Sequence, residues 1–503
     1  IVFRDSNMSL QVWSWIFFLL YFLGLLALGI WASRRVKRAD DYAVARQSYG
    51  PIPLAMAFAA TGASGATFLG LPGLAYSGGL SVLLYAFCYP IGMYIGIFIC
   101  LRVVSESGHE FGSRSIPEYL GDRYQSDRIR IIAALLSLLL FFYLAGQLVA
   151  GLVMFEIMLG LDKGPALMIT TLVLLVYVTL GGAHADIATD AFQGVVMLLI
   201  AAGVLLMFLT GFGIEGGLGG VLQRLESIDP HTMSWFHPTM QIVGSPWAII
   251  AIIIAHIPLG MLPHIGNKLW ALKAGAARRQ FLWIAFFSAL LLPAISLGGL
   301  LARVHLGDGL LDGGANQAIP ELFIALFPNW LAALLGVAVL CAVMSTADGL
   351  VVSSAQVVAN DLYRRTFAKR WSPKLDQEAL DRRVLAISRW ATIGVLLASA
   401  AVAWALLDVN VALLVWMGIG GVTSALAGPL ILGSLWPGVT EPAALVGMLT
   451  GFGCFALLHT QAIPIPWLLM QGPNPFACAA LASIAGVVMT IGVSSFGKTP
   501  TSD

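Results

Sequence analysis

Charge is scarce in this chain: Asp, Glu, Lys and Arg make up 11% of its 503 residues, while hydrophobic residues make up 59%. A soluble domain carries about a quarter charged residues, so this balance excludes an ordinary globular protein. Cysteine is also scarce. The five present, Cys88, Cys100, Cys341, Cys454 and Cys478, all fall inside apolar runs, and no pair has ligand spacing. They read as packing residues, not as disulfides or metal ligands. No G-x-x-x-x-G-K loop occurs, so nothing signals an ATP-driven motor. The longest polar stretches, 102–127, 214–244, 303–329 and 361–383, are loop-sized and leave no room for a soluble catalytic domain. Neither an enzyme nor a nucleic-acid-binding protein is indicated.

What is abundant is apolar sequence, with a mean hydropathy of +0.87. Runs of bilayer-crossing length, roughly 17–25 residues, recur along the chain. Thirteen are expected: 12–32, 54–71, 80–101, 129–154, 167–180, 191–209, 247–262, 281–301, 331–359, 385–407, 413–435, 443–458 and 476–493. The chain is thus an all-α integral membrane protein. Residues 1–7 precede Met8 and look like an upstream remnant, and 12–32 is too long to read as a cleaved signal. With the N-terminus outside, 23 of the 27 basic residues fall on the cytoplasmic side, leaving Arg4, Lys163, Arg224 and Arg303 outside. The inner group runs from Arg34, Arg35, Lys37 and Arg38 through Lys268 and Lys273 to Lys369, Arg370, Lys374 and Lys498. Lys and Arg resist translocation, so this asymmetry sets both count and orientation, with the C-terminus cytoplasmic.

One stretch organises the rest. In 342–361, AVMSTADGLVVSSAQVVAND, helical spacing puts Ala342, Ser345, Thr346, Gly349 and Ser353 on one small, hydroxyl-bearing stripe. Asp348 lies beside it, and a carboxylate at membrane depth costs about 2.5–3.5 kcal/mol unless it faces a cavity, a partner or an ion. Hard oxygens at this spacing suit a hard monovalent cation. Close helix packing with hydroxyls bonded back to their own helix is the plain alternative.

A second stretch, AATGASGATFLGLPG at 59–73, holds Gly62, Gly65, Gly70, Pro72 and Gly73, which weaken a continuous helix. HIPLGMLPHIG at 256–266 repeats the pattern with Pro258, Gly260, Pro263 and Gly266. Non-helical backbone at membrane depth is tolerated where it lines a cavity. Two interrupted helices, one in each half, point to a transporter built on inverted repeats. On the helix beginning near Ala183, Asp186, Asp190 and Gln193 share a face at i, i+4 and i+7. Asp186, with His184 before it, reads as a solvated group at a helix N-terminus.

These residues resemble the sodium/solute symporter family, over about 40–436. DDYAVARQSYGP, ATFLGLPGLAYSGG, SIPEYLGDRY, GGAHADIATDAFQG and AVMSTADGLVVSSAQVVANDLYR are similar, in order, to five of its motifs. The resemblance implies thirteen transmembrane helices with a LeuT-type five-plus-five inverted-repeat core. Around it stand a tail at 1–11, an extra helix at 12–32, repeats at 53–211 and 245–435, two helices at 439–494 and a tail at 495–503. It also implies a sodium site made of the carbonyls of Ala60, Ala63 and Ala342 and the hydroxyls of Ser345 and Thr346. Asp190 matches the aspartate on the inner sodium exit path or at a second sodium site. Asp348 stands where two-sodium members carry a hydroxyl, leaving a second ion or a proton as options there.

Cavity-side candidates for substrate contact are Thr67, Tyr89, Gln147, His256 and Trp416. Gly62 stands where the family's proline carriers have an acidic residue, whereas GMLPHIGNKLWALK and LESIDP resemble the pantothenate and monocarboxylate branch. A carboxylate would be received by the positive N-terminal ends of the broken half-helices. The expected function is Na⁺-coupled import of a small organic solute, an organic anion such as a pantothenate- or monocarboxylate-like compound, across the plasma membrane. Alternatives are a proline-type amino-acid symporter, a proton-coupled carrier using Asp186, Asp190 and Asp348, and a membrane sensor module whose signalling domain would follow residue 503.

Overall fold

The structure, a computed structural model, describes residues 8–36, 39–275, 277–368, 376–465 and 474–496. The basic residues Lys37, Arg38, Lys369, Arg370, Lys374 and Lys498 and the segment 1–7 lie outside them. Among the described residues the only strand-type pairing is one isolated bridge, Tyr49 to Leu272. Otherwise helices carry the fold.

Helix α1 (Leu10–Ser33) starts where the Ser9 hydroxyl accepts from the Val12 N–H, a capping bond for a free helical donor. It is apolar on all sides, and Leu19, Leu20 and Leu23 remain half exposed, as a helix against lipid requires. A broken pair follows, α2 (Pro51–Gly62) and α3 (Ala66–Gly78), bent by 56°. Then come α4 (Ser81–Phe111), α5 (Asp127–Leu159) and α6 (Lys163–Thr210). A second broken pair, α7 (Pro246–Met261) and α8 (Pro263–Ala271), bends by 50°. The chain closes with α9 (Arg278–Leu306), α10 (Asn329–Phe367), α11 (Gln377–Ala405), α12 (Val411–Leu435), α13 (Glu441–His459) and α14 (Pro475–Phe496).

Ten of these helices are long and apolar enough to cross a bilayer, or twelve segments when each bent pair counts as one. The run at 167–180 overlaps an apolar helix, Lys163–Val176, that is shorter than the other spans, and a kink with non-helical backbone at Gly182 divides this limb of α6 from Gly182–Thr210. The junction is Gly182, whose φ of +51° is left-handed and whose absent Cβ would lie 2.5 Å from the Tyr42 carbonyl. A side chain there would be strained and would collide with backbone.

Depth in the bundle follows sequence chemistry. The most apolar 18-residue window of α12 is 89% buried and that of α10 is 72% buried, against 22% for α1. Small residues let these central helices pack closely. α1 packs on α6 and α10, while α13 and α14 pack on each other and on α12, with α14 also reaching α7.

Candidate functional site

The break in the first pair is narrower than the five glycines and prolines predict. The helix is left at Ala63, at φ −104° and ψ 82°, and Ser64, and α3 resumes at Ala66 with Pro72 accommodated inside it. Gly65 is required here because a Cβ would lie 2.8 Å from the Ala150 Cβ. The Gly65 N–H donates to Gln147 Oε1 at 2.9 Å, and the Ala66 N–H to Ser64 Oγ at 3.1 Å. In the second pair the chain leaves the helix at Leu262, with ψ 150°, and Pro263 starts α8. Proline disfavours helical geometry in the residue before it, which explains the break point.

α10 lies against both breaks. A Cβ on Gly349 would be 3.2 Å from the His264 carbonyl and 3.5 Å from Thr61 Cγ2, so the small stripe lets α10 touch the two broken pairs together. Thr346 Oγ1 donates to the Thr61 carbonyl at 3.1 Å. Ser345 is fully buried, its hydroxyl makes no bond within 3.5 Å, and Asp190 is its polar neighbour. Ala60, Ala63, Ala342, Ser345 and Thr346 are each buried, and α2 packs against α10.

One acidic residue behaves differently from the sequence reading. Asp186 is 4% exposed and Asp190 fully buried, so Asp186 is not a solvated helix-end group. The cause is Lys268, assigned above to the cytoplasmic face but in fact 3% exposed. Its Nζ lies 3.0 Å from Asp186 Oδ1, 2.5 Å from Asp190 Oδ2 and 2.6 Å from Thr61 Oγ1. The Thr61 hydroxyl lies 2.7 Å from Asp190 Oδ2. Burial of two carboxylates is tolerable only with such pairing. Oxygens of Asp186, Asp190 and Asp348 all lie within 4.8 Å of one another, a grouping compatible with a cation. A cavity of about 10 Å³, room for at most about one water molecule, lies beside Asp186, Lys268, His264 and Gly349.

Four of the five candidate substrate residues come together. Thr67 Oγ1 is 3.1 Å from Tyr89 Oη, the Tyr89 and His256 rings are 5.4 Å apart, and His256 and Trp416 are 4.6 Å apart. All four are nearly fully buried. Gln147 instead caps the start of α3, with its Nε2 buried and unpartnered. Phe476 completes the group, 4.8 Å from Trp416 and stacked on His256 at 5.7 Å. Sequence reasoning missed it because it stands on α14, far along the chain, where an apolar phenylalanine looks like any other.

The SIPEYLGDRY motif forms a lock at the end of the bundle rich in basic residues. Ser115 caps the short helix Ile116–Arg123, accepting from the Glu118 N–H, and donates to Asp361 at 2.8 Å. Arg365 pairs with Glu118 at 2.7 Å and with Asp122 at 2.8 Å. Partial burial raises the Asp122 pKa, and the Arg365 guanidinium opposes that rise.

With helices broken at two places around a small-residue helix, the arrangement is that of a secondary transporter core. The profile of the sodium:solute symporter family matches residues 42–451, and the chain belongs to that family. It is 28% identical over 438 residues to the high-affinity proline transporter PutP of Bacillus subtilis, covering 85% of this chain and 88% of that one. It is 25% identical over 434 residues to the sodium/pantothenate symporter of Haemophilus influenzae, covering 84% and 85%. The structure of a Na⁺-coupled sialic acid symporter superposes with a TM-score of 0.73 at 19% identity, covering 96% of this chain and 98% of that one. The protein is a multi-pass membrane transporter, not an enzyme, and Na⁺ is its coupling ion.

Proposed function

We propose that this protein imports a small organic carboxylate, pantothenate- or monocarboxylate-like, together with Na⁺ by alternating access in the plasma membrane. The observation that carries this reading is the bond from the Thr346 hydroxyl to the carbonyl of Thr61, two residues before the break at Ala63. The buried hydroxyls of Ser345 and Thr346, with backbone carbonyls at the turn, are a set of neutral oxygens suited to a desolvated monovalent cation that must also leave. The sodium ligands are the carbonyls of Ala60, Ala63 and Ala342 and the hydroxyls of Ser345 and Thr346. Asp190 stands on the exit route, and Asp348 beside it serves a second ion or a proton.

The substrate occupies the space bounded by Thr67, Tyr89, His256 and Trp416, with Gln147 at the adjoining turn of α3. The Thr67–Tyr89 hydroxyl pair can donate to a carboxylate, which is also drawn by the positive N-terminus of a half-helix, while the rings suit the apolar part of the solute. The thirteen-helix layout is a five-plus-five core at 53–211 and 245–435, flanked by the helix at 12–32 and two helices at 439–494. The N-terminus is outside and the end rich in basic residues is cytoplasmic, as the charge asymmetry favours. Each positive charge carried inward contributes about 2.3 kcal/mol per 100 mV of membrane potential.

The test is radiolabelled uptake into proteoliposomes, with pantothenate, acetate, pyruvate and proline offered under an inward Na⁺ gradient and, separately, an inward proton gradient. Na⁺-driven uptake of pantothenate or a monocarboxylate is expected. Uptake of proline alone would overturn the substrate assignment. Uptake driven by protons alone would overturn the coupling.

A further inference from the structure

Lys268 uses its ammonium completely. An ammonium has three N–H donors, and three acceptors surround this one: Thr61 Oγ1, Asp186 Oδ1 and Asp190 Oδ2. They come from two other elements, α2 and α6, so one side chain on α8 ties both broken pairs to the acidic face of α6. Two further groups lie nearby, both fully buried: the second carboxylate oxygen of Asp190 and the hydroxyl of Ser345, neither with a bond within 3.5 Å although Ser345 is a polar neighbour of Asp190. The same aspartate thus pairs with a fixed cation and has the hydroxyl of the proposed sodium site, Ser345, as its neighbour.

We propose that Lys268 is a tethered cation that competes with Na⁺ for Asp190 and the Thr61 turn. Its ammonium closes the ion path at the end rich in basic residues while the sodium site is empty, and a Na⁺ passing Asp190 displaces it. This rests on the sodium reading of the Ser345–Thr346 site. Both species are hard monovalent cations that satisfy themselves with carboxylate and hydroxyl oxygens. At such separations in a low-dielectric interior like charges repel strongly, so both do not hold Asp190 at once. A competitor carried on a short side chain also acts at high effective concentration. The displacement has a consequence beyond the ion. α8 continues from α7, which carries His256, so release of Lys268 loosens the limb that forms one wall of the aromatic group. Ion and substrate would then favour the same arrangement, which is all that coupling requires.

The experiment measures radioactive Na⁺ binding to the purified full chain, as wild type, as Lys268→Gln and as Ser345→Ala/Thr346→Ala. If the ammonium holds its place about 90% of the time, removing it tightens apparent Na⁺ affinity about tenfold. Unchanged or weaker binding in a monodisperse Lys268→Gln protein overturns the proposal. The double variant tests the underlying site separately. If it leaves Na⁺ binding unchanged, the sodium assignment fails; if it weakens binding while Lys268→Gln changes nothing, only the tethered-cation proposal fails. A second measurement needs no substitution: hydrogen exchange across Asn267–Ala271 in wild type should speed up when choline is replaced by Na⁺. Slower or unchanged exchange there would overturn displacement even where Lys268→Gln does not fold.

Discussion

Thr346 Oγ1 donates to the carbonyl of Thr61 at 3.1 Å, a bond spanning 285 residues of sequence that joins α10 to the last turn of α2. It fixes the hydroxyl stripe of one helix against the carbonyls freed at the break of another. The contact is polar and fully buried, where an unmade bond costs more than it would in water.

Replacing both hydroxyls, Ser345→Ala with Thr346→Ala, should raise the Na⁺ concentration for half-maximal uptake about tenfold or more, the equivalent of one lost interaction of about 1.4 kcal/mol. Uptake measured against Na⁺ concentration in proteoliposomes checks this. An unshifted curve would remove these residues from the ion site.

Gly65→Ala places a methyl 2.8 Å from Ala150 Cβ and 3.0 Å from Gln147 Oε1. Overpacking of this kind costs about 1–3 kcal/mol, so the variant should melt at lower temperature and transport more slowly. If its thermal unfolding in detergent matched wild type, the tight turn assigned to this glycine would be wrong.

Trp416→Ala opens the aromatic group between His256 and Phe476. Loss of a ring against a ligand is worth about 0.5–1.5 kcal/mol beyond area, so the substrate KM should rise several-fold while the Na⁺ dependence keeps its midpoint. A changed Na⁺ midpoint with an unaltered KM would move the substrate elsewhere.

Arg365→Gln removes both ion pairs to Glu118 and Asp122. With half of the clasp gone, the end of the bundle rich in basic residues should open more often. In a protein first freed of its own cysteines, Ser353→Cys should then react faster with a water-soluble maleimide when Arg365→Gln is added. Equal labelling rates would mean that the clasp does not gate that end.

Much of this was readable in the sequence because it rests on local rules. Pro263 dictates the break at Leu262, and the spacing of Ser345, Thr346 and Gly349 dictates one helix face. The motif SIPEYLGDRY was legible as a family motif, while its capped helix, with Ser115 accepting from the Glu118 N–H, is seen only in the structure. Lys268 was not readable in this way. In sequence it belongs to a polar turn after an apolar run, and charge counting sends such a lysine to the surface. Only the fold brings it within 3.0 Å of Asp186, 82 residues away. Asp186 was misjudged for the same reason, since a helix-end carboxylate is ordinarily solvated unless something distant covers it. The limb Lys163–Val176 was readable as an apolar run of its own, whereas the left-handed turn at Gly182 that divides it from Gly182–Thr210 without a loop was not.

Phe476 brings a ring from α14 into the group around His256 and Trp416. Chimeras between relatives usually exchange whole repeats and treat terminal helices as passive packaging. In this protein a hybrid carrying a foreign tail would also inherit a foreign face in that cluster, so its selectivity would follow the donor of the tail as well as the donor of the repeats.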